Sequence, residues 1–323
     1  MNLKILPLLV LLTVGLSLFA SGCTGPGDSQ NNESTGQEAE VAESNQPITV
    51  AVSVLPQAEF VEKVGGDKVK TVVIIPPGAD PHTYEPSPKE IENVSKASMY
   101  VTVGIDMPFE DVWINRFESI NSGTLIVNSS NGIKLRGLAA HDHHEEGTEE
   151  HAGESEADNE ETELDPHIWT SPSNAKIMVE DIYEGLAKID PENETYYAQN
   201  RDAYLKELDA LDARIREKLE GKTERNFMVY HPAWGYFALD YNLTMIPVES
   251  EGKEPSAEDL AKLVDLAKEK HVKVIFIQPQ TSTQSAQAVA EEIGGEVVAV
   301  DPLEKDYIAN MDNVSDIFAR NLV

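Results

Sequence analysis

Apolar runs typical of strands alternate with helical patterns from Ile48 onward. Four such runs, ITVAVSVL, VKTVVIIP, MYVTVG and TLIVNSS, are separated by the helical segments QAEFVEKVGG, SPKEIENVSKAS and PFEDVWINRFESI. Largely apolar strands between amphipathic helices indicate a parallel sheet that is covered on both faces. We therefore predict a first α/β lobe over residues 47–175.

A long helical segment follows the first lobe. Apolar residues from Tyr204 to Leu219 recur at three- and four-residue spacing, which places one apolar stripe along a helix. We predict a spine helix over residues 176–220 and expect Asp190-Pro191 to interrupt the helical segment, because proline opens helices more readily than it continues them.

The last third of the chain repeats the alternation. The runs NFMVY, TMIPV, VKVIFIQP and EVVAV predict strands, and helical patterns lie between them. The pattern predicts an α/β fold of two lobes, each a mostly parallel sheet flanked by helices. We predict the second lobe over residues 221–323, with one long helix bridging the two lobes.

The N-terminal segment indicates export. A lysine and an apolar run of signal-peptide length precede Ser21, Gly22 and Cys23, the only cysteine of the chain. Small residues directly before a cysteine are typical of a lipoprotein signal peptide, here residues 1–22, with Cys23 as the lipidated first residue. The polar residues that follow Cys23 as far as residue 46 predict a flexible tether.

Composition narrows the chemistry. The net charge of −32 argues against binding to a phosphate backbone, so we expect no nucleic-acid partner. With Cys23 lipidated, the exported domain has no thiol for a disulfide or a metal, and any metal site must use histidines and carboxylates.

An acidic insertion interrupts the first lobe at residues 141–163, HDHHEEGTEEHAGESEADNEETE. It has no apolar run that could pack, so we expect it to be disordered and solvated. Its four histidines could bind metal weakly, because a disordered segment imposes no fixed geometry. These accessory candidates are His141, His143, His144 and His151.

Three other histidines and one aspartate stand at strand ends or helix starts. His82 follows the strand TVVII, His231 follows NFMVY, Asp301 follows EVVAV, and His167 lies in the loop DPHIW. Ligands of open parallel sheets bind outside the carboxyl ends of the strands, where loops converge. Three imidazoles and a carboxylate would suit zinc. From the pattern alone, a metal site in the cleft and ordinary loop histidines are equally good interpretations.

Six segments make the resemblance specific. The chain resembles the cluster A-I solute-binding lipoproteins, which bind zinc or manganese for ABC uptake systems, from about Ile48 to its end. The segments, in family order, are GADPHTYEPSPKEI, DPHIWTSP, VYHPAWGYFA, EGKEPSAEDLAKLVDLAKEK, VIFIQPQTSTQSA and VVAVDPL. The resemblance implies two lobes joined by one long helix, with one divalent metal between them. It makes His82, His167, His231 and Asp301 the metal ligands, with water in place of the Asp301 carboxylate in some zinc-binding members.

The resemblance also implies a function. The protein would capture Zn²⁺ and hand it to an ABC permease, as a monomer anchored by lipid to the outer face of the cytoplasmic membrane. Manganese-binding relatives place a carboxylate where this chain has His231, and an imidazole there favours Zn²⁺ over Mn²⁺. One departure is Gln278, where many relatives carry glutamate.

Rival functions remain at this stage. A manganese or iron receptor of the same family would use the same loops. A zinc hydrolase could use three histidines and an open position to activate water, but the chain has no HExxH motif and no nucleophile elbow, so we expect no enzyme. A siderophore- or corrinoid-binding lipoprotein would want aromatic or arginine anchors. An added adhesin role stays open.

Overall fold

The computed structural model describes residues 46–105, 107–138, 163–249, 253–280 and 284–322. The predicted signal peptide, Cys23, nearly all of the tether and the four histidines of the acidic insertion lie outside these ranges. Within them, no helix is both long enough and apolar enough to cross a membrane.

The first lobe contains a sheet of four parallel strands in the order β2-β1-β3-β4. Valine and isoleucine dominate these short strands and favour extended backbone. Helices cover the faces, and β3 is buried along its whole length. The elements are β1 Ile48–Val52, α1 Leu55–Gly65, β2 Val69–Val73, α2 Pro88–Val94, β3 Met99–Thr102, α3 Pro108–Ile120 and β4 Leu125–Asn128.

The spine consists of two helices, α4 at Pro172–Ile189 and α5 at Glu194–Leu219. A short 3₁₀ turn at Pro191–Asn193 separates them, so the break expected at Asp190-Pro191 is present. The long helix α5 links the lobes and buries the stripe that the sequence indicated, from Tyr204 to Leu219.

The second lobe repeats the topology of the first, with four parallel strands in the order β6-β5-β7-β8. The predicted fold class is therefore confirmed. Its elements are β5 Asn226–Val229, α6 Gly235–Asp240, β6 Thr244–Pro247, α7 Ala257–Glu269, β7 Val274–Ile277, α8 Gln284–Ile293, β8 Glu296–Ala299 and α9 Tyr307–Asn321.

One hydrophobic cluster spans both lobes, besides a smaller cluster within each lobe. A single cluster of buried side chains contains Val52 of β1, Leu211 of α5, Phe276 of β7 and Phe318 of α9. The core is thus continuous from the first sheet across the spine to the second sheet, and the lobe boundaries drawn from the sequence stay a prediction.

A buried carboxylate also connects the first lobe with the spine and the second lobe. Glu59 of α1 accepts hydrogen bonds from the hydroxyl of Tyr204 on α5, at 2.8 Å, and from the backbone N–H of Tyr307 at the start of α9. Burial raises the pKa of Glu59, and both hydrogen bonds oppose that rise. One side chain of the first lobe therefore contacts both the spine and the second lobe.

Candidate metal centre

Three predicted histidines from separate loops meet at the carboxyl ends of the strands. His231 comes two residues after β5, His82 lies in the loop that follows β2, and His167 directly precedes the short 3₁₀ turn that leads into α4. Each offers a ring nitrogen, and the three nitrogens lie within 4.8 Å of one another. In the part of the chain that the structure describes, no other histidine, cysteine or carboxylate group forms such a cluster.

The spacing of the nitrogens fits a metal ion. Nε2 of His167 lies 3.4 Å from Nε2 of His82 and 3.1 Å from Nε2 of His231. Tetrahedral zinc with Zn–N bonds of about 2.0–2.1 Å requires nitrogens about 3.3–3.4 Å apart. The two separations measured from Nε2 of His167 are therefore close to those that one bound Zn²⁺ would need.

Two of the three imidazole rings contact a carboxylate through Nδ1, while their Nε2 atoms face the cluster. Nδ1 of His167 donates to Oδ1 of Asp165 at 2.8 Å, and Nδ1 of His231 donates to Oε1 of Glu249. Both carboxylates are buried. Because an ionised carboxylate only accepts hydrogen bonds, the proton of each ring sits on Nδ1, and the Nε2 lone pair is left for a metal.

Asp165 has a partner for each oxygen. Its Oδ1 also accepts the backbone N–H of His167, at 3.0 Å, while its Oδ2 pairs with Nη1 of Arg136 at 2.9 Å. The hydroxyl of Tyr236 on α6 donates to the Asp165 carbonyl at 3.0 Å. The loop of the first lobe that carries His167 thus contacts a helix of the second lobe.

His82 is positioned differently. Oδ1 of Asp80 accepts its backbone N–H at 2.9 Å, and among the described residues no carboxylate accepts a hydrogen bond from its ring. Burial, together with the neighbouring His167 and His231, lowers the pKa of His82 to about 3. Burial also lowers the pKa of His167, although Asp165 opposes this effect. Both rings are therefore neutral near pH 7, which is the form that binds metal.

The fourth predicted ligand, Asp301, is not part of the cluster. Its Oδ1 accepts the backbone N–H of Leu303 at 2.9 Å, and its Oδ2 accepts Nε2 of Gln280 at 3.1 Å. The structure thus brings together three of the four predicted cleft residues. Metal binding by all four stays a prediction, as does that by the insertion histidines, which lie outside the described residues.

The sequence did not reveal the residues behind the imidazoles. Asp165 stands two residues before His167 in DPHIW, which is a local signal for a hydrogen bond to this loop. Glu249 and Arg136 are 18 and 29 residues from their partners His231 and Asp165, and no local pattern marks them. Only the folded chain brings them to the site.

Comparison with known proteins identifies the family. Residues 50–321 match the family described as zinc-uptake complex component A, periplasmic, or ZnuA. The chain belongs to this family.

Members of the ZnuA family are also its close relatives in sequence and structure. The high-affinity zinc uptake system protein ZnuA of Bacillus subtilis (strain 168) is 33% identical over 261 residues, which are 80% of this chain and 79% of that protein. A crystal structure of ZnuA matches with a TM-score of 0.77 and 37% identity, covering 86% of this chain and all of that one. A ZnuA deletion mutant with zinc bound matches with a TM-score of 0.76 and 36% identity, covering 86% and 98% of the two chains.

The resemblance inferred from the sequence is therefore confirmed. The ZnuA family consists of binding proteins for transport, so the enzyme alternative is not favoured. A manganese or iron receptor is not favoured either, since the relatives carry names of zinc uptake and the cluster consists of three imidazoles.

Proposed function

We propose that the protein is an exported binding protein that captures Zn²⁺ with His82, His167 and His231 and delivers it to an ABC permease. The observation that carries this proposal is the convergence of three Nε2 atoms at 3.1 and 3.4 Å in the one cluster of potential metal ligands among the described residues. The zinc named in the relatives ZnuA of Bacillus subtilis and the ZnuA deletion mutant supports the choice of metal.

The chemistry of the donors favours zinc over manganese. Imidazole nitrogens suit Zn²⁺, whereas carboxylate and water oxygens suit Mn²⁺. Because two of the rings are fixed by carboxylates, few side-chain conformations are lost when the metal binds. Three protein ligands leave a fourth tetrahedral position, which water or the Asp301 carboxylate would fill.

Attachment to the membrane belongs to the same proposal. Cys23 would carry the lipid, and the polar residues after it would let the binding domain reach the permease from the outer face of the membrane. Periplasmic relatives support export. No catalytic step is needed, because the metal leaves the protein chemically unchanged.

The test is calorimetric titration of the mature domain with Zn²⁺ and with Mn²⁺ in competition. We expect one tight site that prefers Zn²⁺, and we expect it to disappear in the double variant His82→Ala/His167→Ala. A double variant that keeps the tight site, or a wild type that prefers Mn²⁺, would contradict the proposal.

The acidic insertion provides a second arm of the test. Deleting residues 141–163 should leave the tight site and remove only weak additional binding, since ordering each residue of a solvated segment costs about 1–2 kcal/mol. The ZnuA deletion mutant among the solved structures has zinc bound, so a ZnuA chain can lose a segment and still bind the metal. Loss of the tight site on deletion would mean that the insertion supplies primary ligands.

A further inference from the structure

Arg136 lies behind His167, outside the cluster of metal-binding candidates. It follows β4 in the first lobe, and its Nη1 lies 2.9 Å from Oδ2 of Asp165. The guanidinium carbon lies 5.9 Å from the centre of the Tyr236 ring, on α6 of the second lobe. Arg136 therefore contacts the carboxylate that holds His167 and sits where the two lobes meet.

The two oxygens of Asp165 have separate partners. Oδ2 faces Arg136, whereas Oδ1 accepts both the backbone N–H and the ring Nδ1–H of His167. Asp165 is fully buried, and burying a polar side chain costs free energy unless its atoms have hydrogen-bond partners. The guanidinium occupies Oδ2, so Oδ1 is left to accept the ring N–H and hold the His167 proton on Nδ1.

Gly235 supplies the space for this ion pair. A Cβ atom at Gly235 would lie 1.2 Å from Nη1 of Arg136 and 2.5 Å from Oδ2 of Asp165. Gly235 has no positive φ, so the absence of a side chain serves the approach of Arg136 and Asp165 and not an unusual backbone conformation. A residue of the second lobe thus leaves room for an ion pair of the first lobe.

We propose that Arg136 is a positioning residue for metal binding. Through Asp165 it fixes the Nδ1–H tautomer and the ring orientation of His167, so that Nε2 faces the metal. Gly235 keeps the position of the guanidinium open. The inference rests on the proposed function, because it assigns His167 to the zinc site.

The first experiment separates charge from packing. Arg136→Gln keeps a hydrogen-bond donor but removes the charge, and Arg136→Lys keeps the charge. Zinc affinity should fall about 10–100-fold in the glutamine variant, as is usual for partners of metal ligands, and less in the lysine variant. Nitrogen NMR of metal-free protein labelled at histidine should show the His167 proton on Nδ1 in the wild type and a mixture of tautomers in Arg136→Gln.

Arg201 provides a matched control. It also pairs with a carboxylate, Glu180, lies over a tyrosine ring, Tyr183, and has a side chain 20% exposed against 26% for Arg136. Arg201→Gln should leave both the zinc affinity and the His167 tautomer unchanged. A fall in the Arg201 variant equal to that in Arg136→Gln would assign the effect to general loss of structure and overturn the proposal.

Gly235→Ala tests the same assignment from the other lobe. It should displace Arg136 and reproduce the loss of affinity and the mixed tautomer. Gly123→Ala is its control, since the nearest atom to a Cβ there is the Asn121 side-chain oxygen at 3.3 Å. If Arg136→Gln does not fold, Gly235→Ala and Arg136→Lys decide the question by the same two measurements.

The outcomes distinguish this inference from the proposed function. Wild-type affinity and an unchanged tautomer in the Arg136 and Gly235 variants, together with zinc lost in His231→Ala, would overturn only the role of Arg136. Zinc affinity unchanged in His231→Ala would overturn the proposed function itself. The tautomer is read without metal and tests the Arg136–Asp165–His167 contact in either case.

Discussion

The same tripeptide, Asp-Pro-His, occurs in both loops that bring histidines from the first lobe, and the structure uses it in two ways. In Asp80-Pro81-His82 and in Asp165-Pro166-His167, the aspartate accepts the backbone N–H of the histidine two residues on, at 2.9 and 3.0 Å. Only Asp165 also accepts the ring Nδ1–H of its histidine. The second oxygen of Asp80 accepts the Thr83 hydroxyl at 3.2 Å.

The difference separates the features of a histidine loop that depend on neighbouring residues from those that depend on distant ones. The turn arises from the tripeptide itself, because an aspartate side chain readily accepts a backbone N–H two residues on. The orientation of the imidazole depends on residues distant in sequence, since Arg136 pairs with Oδ2 of Asp165 while Oδ1 accepts the ring N–H of His167. Identical short motifs therefore give equal turns but unequal control of the imidazoles.

The largest effect should come from the histidines themselves. A saturating ligand at about a thousandfold its dissociation constant stabilises a fold by about 4 kcal/mol. Zn²⁺ should therefore raise the melting temperature of the wild type, and His82→Ala and His167→Ala should each lose most of that rise. In metal-free protein His167→Ala should be the less stable of the two, because it removes one of the two hydrogen bonds that the buried Oδ1 of Asp165 accepts, at a cost of about 1 kcal/mol.

The measurement is a thermal melt of each variant with and without Zn²⁺. His271→Asn is the control, since His271 is exposed and its φ of 56° is one that asparagine tolerates. Equal stability of metal-free His82→Ala and His167→Ala would contradict the proposed difference between the two loops.

The second effect should come from the aspartates. Asp165→Asn weakens both the ion pair with Arg136 and the hold on the His167 ring, so zinc affinity should fall about 10–100-fold. Asp80→Asn keeps an oxygen that can accept the His82 N–H, so its affinity should change little. Zinc titration of the two variants side by side tests this. Equal losses of affinity would mean that the backbone turn matters more for zinc binding than the hydrogen bond to the imidazole.

The last prediction concerns pH. Because the pKa of His82 is lowered from about 6.5 to about 3 in the folded protein, the unfolded chain binds a proton there that the folded chain does not. The free energy of unfolding of metal-free protein should therefore fall as the pH drops from about 6.5 toward about 3. His82→Gln should show a shallower fall between about pH 6.5 and about pH 4 in urea unfolding.

The comparison with His82→Gln is needed because another group acts in the opposite direction. Burial raises the pKa of Glu110 to about 7, against the hydrogen bonds from Ser53, Val103 and Gly104. Its contribution to stability is lost as the pH rises from about 4.5 to about 7. Both proteins contain Glu110, so its effect cancels in their difference. Identical pH profiles would show that His82 is not buried as a neutral ring.

Much of this site could be predicted from the sequence. Strand ends and loops are local features of the sequence. His82, His167 and His231 could therefore be assigned to the side of the two predicted sheets where the carboxyl ends of the strands lie, before their distances were known. The fold followed from alternating apolar and amphipathic segments. The ion pair of Arg136 with Asp165, the contact of Glu249 with His231 and the bonding of Asp301 to Gln280 depend on tertiary packing, which no pattern along the chain encodes.

The continuous core sets the mechanical stiffness of the molecule. Parting the lobes would separate buried side chains such as Phe60 of α1 and Tyr307 of α9, whose ring centroids lie 4.9 Å apart, and bring them into water. Each 100 Å² of apolar surface exposed would cost about 2.5 kcal/mol, which makes such an opened form roughly seventyfold rarer. Small displacements of the loops carry no such cost. We therefore expect cargo to enter and leave by local movement of the histidine loops, with the two lobes acting as a stiff frame.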